Sequence, residues 1–253
     1  MNHRIFASIF VLCVIFAGVS IADAAMSDEE FLELCASGTH EEIAAAIRGG
    51  ADVNARDDEE ETALMRAANR DLEAVIALLE EGADVNARND FGATALIFAA
   101  SGNDAGIVKA LIDGGADVNA RSDNGTTPLT SAAGMSDLSE MIDILIKNGA
   151  DVNARGDEEA TALIMAMRVN SGLDKIKALI DNGADVNAAD DDGWTALMVA
   201  AYNNKPDWIS ILLDVGAAAD IRDKNGKRAI DYAAKNPALE DTEAYRRLME
   251  AGK

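Results

Sequence analysis

Histidine, cysteine and carboxylate are the side chains that could act here as base, nucleophile or metal ligand. The chain has 2 histidines, 2 cysteines and 45 acidic residues in 253. His3 and Cys13 fall in the first two dozen residues, which leaves His40 and Cys35 for a folded domain. One histidine and one cysteine cannot supply the ligand spacing of a zinc site, and a lone thiol forms no internal disulfide. No glycine-rich phosphate loop and no nucleophile elbow occurs. The acidic runs Asp57-Asp58-Glu59-Glu60-Glu61 and Asp190-Asp191-Asp192 lack the ligand spacing of a dedicated calcium loop. They read as solvated turn tips. Cys35, beside Leu34 and Ala36, reads as a small buried hydrophobe, and His40 as a cap or an exposed side chain. The expectation is no catalytic residue, no cofactor and no metal, so the remaining chemistry is recognition.

Recognition needs exposed aromatic, arginine or charged side chains. Aromatics make up 4% of the chain, so each one on a surface is informative. Phe91 is expected on a turn tip. Trp194 stands just before a repeated threonine. Tyr202 and Asn203 are expected at the end of a short helix, with Met135, Arg168 and Val169 in the equivalent place of other repeats. For Trp194 and Tyr202 two readings stay open: interface anchors, or covers over the protein's own apolar seams. Two charged stripes accompany them. One is Arg56, Arg88, Arg121, Arg155, then Ala189 and Arg222; two residues later runs Asp58, Asp90, Asp123, Asp157, Asp191, ending in Lys224. Side chains two apart in an extended segment share a face. The arginines therefore either pair with aspartates of their own or the next turn, or stay open to an anionic partner. The net charge of −23 repels nucleic acid and anionic lipid and suits a basic partner. Arg155-Gly156-Asp157 resembles an integrin tripeptide, but it only repeats the Arg-x-Asp of other turns. Asn124-Gly125-Thr126 is a glycosylation sequon and equally an ordinary turn; the chain has a bacterial character and no glycan is expected.

A repeat must position all of these residues. Gly-Ala-Asp-Val-Asn-Ala begins at Gly50, Gly82, Gly115, Gly149 and Gly183, with a degraded copy from Gly216, at steps of 32, 33, 34, 34 and 33 residues. About 12 residues after each start comes Thr62-Ala-Leu-Met65, Thr94-Ala-Leu-Ile97, Thr127-Pro-Leu-Thr130, Thr161-Ala-Leu-Ile164, Thr195-Ala-Leu-Met198, and finally Arg228-Ala-Ile-Asp231. Each threonine reads as the N-cap of a short apolar helix. A second helix follows with aliphatics at helical spacing, as in Ile107, Val108, Leu111 and Ile112. Glycine then ends it. Asp-Val-Asn-Ala reads as extended, leading into a protruding hairpin. Trp208, beside Ile209 in a second helix, reads as core.

This double signature resembles the ankyrin repeat over about Ser27 to Lys253. It departs where the family's histidine is replaced by Met65, Ile97, Thr130, Ile164, Met198 and Asp231, and where its turn glycine is Glu60 and Glu159. The resemblance implies an all-α repeat solenoid of about seven helix-turn-helix repeats with protruding β-hairpin loops. The repeats run at 27–56, 57–88, 89–121, 122–155, 156–189, 190–222 and 223–253, within one domain, 25–253. Ser27-Asp28-Glu29-Glu30 opens it as a capping box, and Glu243, Arg246, Arg247 and Glu250 close it with a polar face. A core leucine in this closing repeat, such as Leu248, is expected to matter less than Leu111. The resemblance further implies a concave face of turn tips and inner helices that binds another protein, here expected to involve Phe91, Arg121, Asp123, Met135, Arg155, Arg168, Asp191, Trp194, Tyr202 and Asn203.

Residues 1–24 read as a signal peptide: Arg4 near the start, an apolar run from Ile5 to Val19, then Ala22-Asp23-Ala24. The expectation is a periplasmic or secreted monomer cut near Ala24, or alternatively one tethered by an uncleaved anchor, with no other membrane contact. Three roles fit: a non-enzymatic adaptor or anchor for another protein, a neutralising immunity-type partner of an exported toxin or enzyme, or an exported effector acting on a host protein. An enzyme is disfavoured because no titratable groups converge.

Overall fold

The computed structural model describes residues 26–136 and 138–252, so the expected signal peptide lies outside the described residues. The chain divides into two compact units, the first ending at Ser122 and the second beginning at Asp123. Each is a stack of antiparallel helix pairs. The first unit holds α1 (Asp28–Ser37) with α2 (His40–Arg48), α3 (Ala63–Ala67) with α4 (Leu72–Glu80), and α5 (Ala95–Ser101) with α6 (Ala105–Asp113). The second holds α7 (Pro128–Met135) with α8 (Ser139–Lys147), α9 (Ala162–Arg168) with α10 (Leu173–Asp181), α11 (Ala196–Tyr202) with α12 (Pro206–Asp214), and α13 (Ala229–Ala233) with α14 (Glu243–Ala251). These seven pairs carry the repeats read from the sequence.

The threonines start the inner helices as expected. Thr62, Thr161 and Thr195 accept the amides of Met65, Ile164 and Met198 at 3.3–3.4 Å. Thr94 is the exception, because its hydroxyl is buried without a hydrogen-bond partner. The residue three positions on explains the departures from the family histidine. Met65, Ile97, Ile164 and Met198 are buried as core. Only the two polar replacements return a bond to the cap: Thr130 Oγ1 accepts the Thr127 amide at 2.9 Å, and Asp231 accepts the Arg228 amide at 2.8 Å. Each second helix buries the aliphatics that its spacing selected, Ile107, Val108 and Leu111 in α6 for example. The glycines after these helices have φ between 87° and 97°, left-handed backbone that glycine adopts without a Cβ clash.

The Asp-Val-Asn-Ala segment is a tight turn and not extended. In each copy the alanine amide donates to the aspartate carbonyl, as from Ala87 to Asp84 at 3.2 Å, and the Asp Oδ1 accepts the asparagine amide, as from Asn86 at 3.0 Å. An aspartate that can bond its own backbone two residues on favours a turn over a strand. The asparagine then ties repeats together. Asn54 Oδ1 accepts the Asp84 amide and Asn86 Oδ1 the Asp117 amide, both at 2.8 Å. In the second unit Asn153 and Asn187 do the same for Asp185 and Ala218 at 2.7 Å. The hairpins that follow close on single bridges, Arg56 with Thr62, Arg155 with Thr161 and Ala189 with Thr195, and no strand forms among the described residues. Where glutamate replaces the turn glycine the backbone stays left-handed, at φ 60° for Glu60 and 57° for Glu159.

Ser27 and Glu30 form the capping box. Arg246 pairs with Glu243 at 3.0 Å along α14, whereas Arg247 reaches back to Asp214 at the end of α12 at 2.6 Å and so does not join the outer face expected of it. Leu248 on the inner face of α14 is as fully buried as Leu111. Cys35 is buried, and burial, only partly countered by Arg66 and Arg70, pushes its thiol up to about 12, so it stays protonated at neutral pH. Trp208 is buried with the Lys205 ammonium 5.3 Å from its ring centre. His40 opens α2, with Nε2 3.3 Å from Glu41.

Candidate partner-binding surface

Three arginines of the stripe reach the main chain of the next repeat. Arg56 donates to the carbonyl of Arg88 at 2.9 Å, Arg88 to that of Arg121 at 2.7 Å, and Arg155 to that of Ala189 at 2.7 Å. Each guanidinium thus satisfies the carbonyl at its own position one repeat further on. Arg56 also meets Glu60 at 3.0 Å, and Arg155 lies 3.8 Å from Glu159. Arg121, Asp123, Asp157 and Asp191 are exposed at their tips. The Asp191 amide donates to the Glu158 carbonyl at 2.9 Å, and the Lys224 amide to Asp192 at 2.9 Å, so successive tips of the second unit are tied through their backbones.

One residue before the aspartate stripe runs a second polar column that the sequence reading passed over. Asp57, Asn89, Asp190 and Asp223 fold their loops by accepting two amides each, as Asp190 does from Asp192 and Trp194 at 2.9 and 2.8 Å. Three of these carboxylates meet a donor on an inner helix. Asp57 meets Arg66 at 2.5 Å, Asp223 meets the hydroxyl of Tyr232, and Asp190 meets Arg168 at 2.6 Å, which also holds Glu158 at 2.8 Å. The signal was available: Arg66 and Tyr232 each stand nine residues after their aspartate. Arg168, expected at the binding surface, is exposed, but its guanidinium is engaged by the buried Asp190 and by Glu158 on an exposed tip.

Trp194, Tyr202 and Tyr232 form one aromatic cluster in the second unit. Trp194 lies 4.5 Å from Tyr232 and 5.6 Å edge-on from Tyr202, with Tyr202 6.2 Å from Tyr232. Tyr232 is buried, Trp194 half-buried, and Tyr202 is 64% exposed. The sequence reading missed Tyr232, whose place in the degraded last repeat concealed it. Burial, the bond to Asp223 and the charges of Asp223 and Asp231 raise the Tyr232 phenol from 10.0 to about 12. Burial raises the Asp223 carboxyl, but the Tyr232 hydroxyl and the amides of Lys227 and Asn225 outweigh it and leave the group below its ordinary value. Asp223 therefore stabilises the fold at neutral pH and loses that effect as pH falls through its lowered value. Tyr232 stabilises it while protonated and loses that effect as pH climbs from 10 towards 12. The thermal midpoint of the native chain is expected to fall more steeply over that alkaline window than that of Tyr232→Phe. Parallel slopes would remove the assignment.

Three large apolar side chains stand at the C-terminal ends of consecutive inner helices of the second unit: Met135 on α7 at 72% exposed, Val169 after α9 at 48%, and Tyr202 on α11 at 64%. Asn203 lies beside Tyr202 and donates from Nδ2 to the Met167 carbonyl at 3.2 Å. In the first unit the equivalent helix ends carry Asn69, Arg70, Ser101 and Gly102, and its exposed aromatic is Phe91, on a turn tip, at 63%. Among the described residues no cluster of His, Cys, Asp or Glu could hold a metal, and no helix is long and apolar enough to cross a membrane.

A family model described as ankyrin repeats (3 copies) matches residues 15–89, 69–156 and 163–253. The crystal structure of the human ASB11 ankyrin repeat domain is similar at a TM-score of 0.76 and 26% identity, over 87% of this chain and 96% of that one. No curated protein matches the chain. The repeat signature, the paired helices and these matches agree, and the chain belongs to the ankyrin-repeat family.

Proposed function

We propose that this protein is a non-enzymatic adaptor or anchor, exported to the periplasm or secreted, that holds another protein on the exposed helix ends and turn tips of its second unit. Ankyrin repeats are protein–protein interaction modules, and the fold is typically a binding scaffold without catalysis. The row Met135, Val169 and Tyr202 carries the reading: exposed apolar side chains of this size, on neighbouring helices, cost solvation unless a partner covers them. Trp194 braces Tyr202 from behind, so little side-chain freedom is lost when a partner docks. Export rests on the charged start, apolar run and small-residue end of residues 1–24.

Affinity capture from the exported fraction of the native cell tests this, with the native chain and with Met135→Ala/Val169→Ala/Tyr202→Ala. A partner retained by the first and lost by the second is the expected result, together with an intact mass that begins near Ala25. Equal capture by both would place the site elsewhere, and unprocessed protein in the cytosol would end the export claim. An immunity-type role predicts that the captured partner is an enzyme or toxin whose activity falls on binding, whereas an adaptor leaves it unchanged.

A further inference from the structure

We infer that the row Met135, Val169 and Tyr202 takes an extended, basic segment of its partner in which apolar side chains recur at every third residue. This rests on the reading of that row as the binding surface. The spacing argument comes from the stack. The helices α7, α9 and α11 that carry the row pack in succession, and packed helices lie about 8–10 Å apart. A polyproline II segment advances ~3.1 Å per residue with three residues per turn, so residues on one side of it recur at about 9 Å. One side chain per helix end is therefore met by residues i, i+3 and i+6. A helical partner would present residues seven apart at ~10.5 Å, wider than the 8–10 Å of packed helices, so the polyproline II repeat of about 9 Å fits the row more closely.

Charge points to the same partner. The row sits at three helix C-termini, where the macrodipole and the unsatisfied carbonyls favour a cation. The protein already fills part of this site with donors of its own: the Lys175 ammonium donates to the carbonyls of Ala133 and Ser136 at 3.2 and 2.6 Å, at the end of α7. The adjoining tips add exposed Asp157, Glu158, Glu159, Asp191 and Asp192. Basic groups are present too. Arg155 is engaged by the Ala189 carbonyl and Arg168 by Glu158 and Asp190. Lys227 covers the Tyr232 ring at 5.5 Å, and Lys224 marks the edge of the acidic tips. Lysine or arginine between the apolar positions of the partner would face this acidic edge, while an acidic segment would meet it as like charge.

Random short peptides displayed on phage and selected on the full chain provide the probe, followed by fluorescence anisotropy with synthetic versions of those enriched. The expected peptides are net positive with apolar residues three apart. Their affinity should fall at least tenfold in Met135→Ala/Val169→Ala/Tyr202→Ala, severalfold in Asp191→Asn/Asp192→Asn, and steadily with salt. Unchanged thermal midpoints of both variants exclude unfolding as the cause. Acidic or neutral peptides, or peptides with helical spacing, that the triple variant fails to bind would overturn the inference and leave the surface reading standing. Peptides bound equally by the triple variant would overturn both. A selection that enriches nothing would overturn the inference alone, since capture of the native partner tests the surface separately.

Discussion

Leu111→Ala is expected to lower the free energy of unfolding by about 2–5 kcal/mol, through lost burial and the cavity left behind. Leu111 is fully buried in α6, and its carbonyl accepts the amide of Ala116 at 2.9 Å, just past the glycine turn. Within the first unit α5 packs on α3 and α6 on α4, so a defect at Leu111 weakens the preceding repeat as well as its own. Leu248 is buried to the same degree in α14, so any difference between the two must come from neighbours and not from burial. Leu248→Ala should act mainly on the last helix pair, whose α13 and α14 pack on α11 and α12. Hydrogen exchange separates the two cases. Leu111→Ala should shift the denaturant midpoint and reduce amide protection through the first unit, while Leu248→Ala should lose protection mainly after about Arg228. Uniform loss of protection in both variants would contradict the nearest-neighbour account.

The second large effect concerns Trp194 and Tyr202, which the sequence grouped and the structure separates. Tyr202→Ala is expected to weaken partner capture at least tenfold, about 1.4 kcal/mol or more, while lowering stability by no more than about 1.5 kcal/mol. Its ring is largely exposed, and its internal contacts are two edge-on aromatic pairs. Trp194→Ala should act the other way round. Its ring is half-buried 4.5 Å from Tyr232, beneath which Tyr232 holds Asp223, so its removal should cost roughly 1–3 kcal/mol of stability. Any loss of binding would then follow from a loosened Tyr202. Paired melts and binding curves for the two single variants decide this. A stable Trp194→Ala that binds poorly would make Trp194 a direct contact, and a Tyr202→Ala that melts early would make Tyr202 a seam cover.

Much of this protein was legible in its residues because a repeat writes the same local rule many times. Thr at the N-caps of the five central inner helices, glycine after each second helix and aliphatics at helical spacing fix turns and helices through backbone geometry and burial, which depend on sequence neighbours. The buried Cys35 follows from the same patterning. What the sequence left undecided depends on residues about 32–34 positions apart. The arginine stripe read as an ion-pair ladder before an open site; stacking placed a carbonyl in front of the guanidinium of Arg56, Arg88 and Arg155. Asp-Val-Asn-Ala read as extended until the asparagine was seen to need a turn in order to reach the next repeat. Tyr232 stood in a degraded copy with no motif to mark it, and only packing beside Trp194 made it part of a cluster. What an exposed side chain meets was the last such quantity. Arg168 and Tyr202 hold the same place in their repeats and both are exposed, but the fold puts the buried Asp190 carboxylate within reach of the guanidinium, which it engages together with Glu158, while the Tyr202 ring meets Trp194 and Tyr232 edge-on.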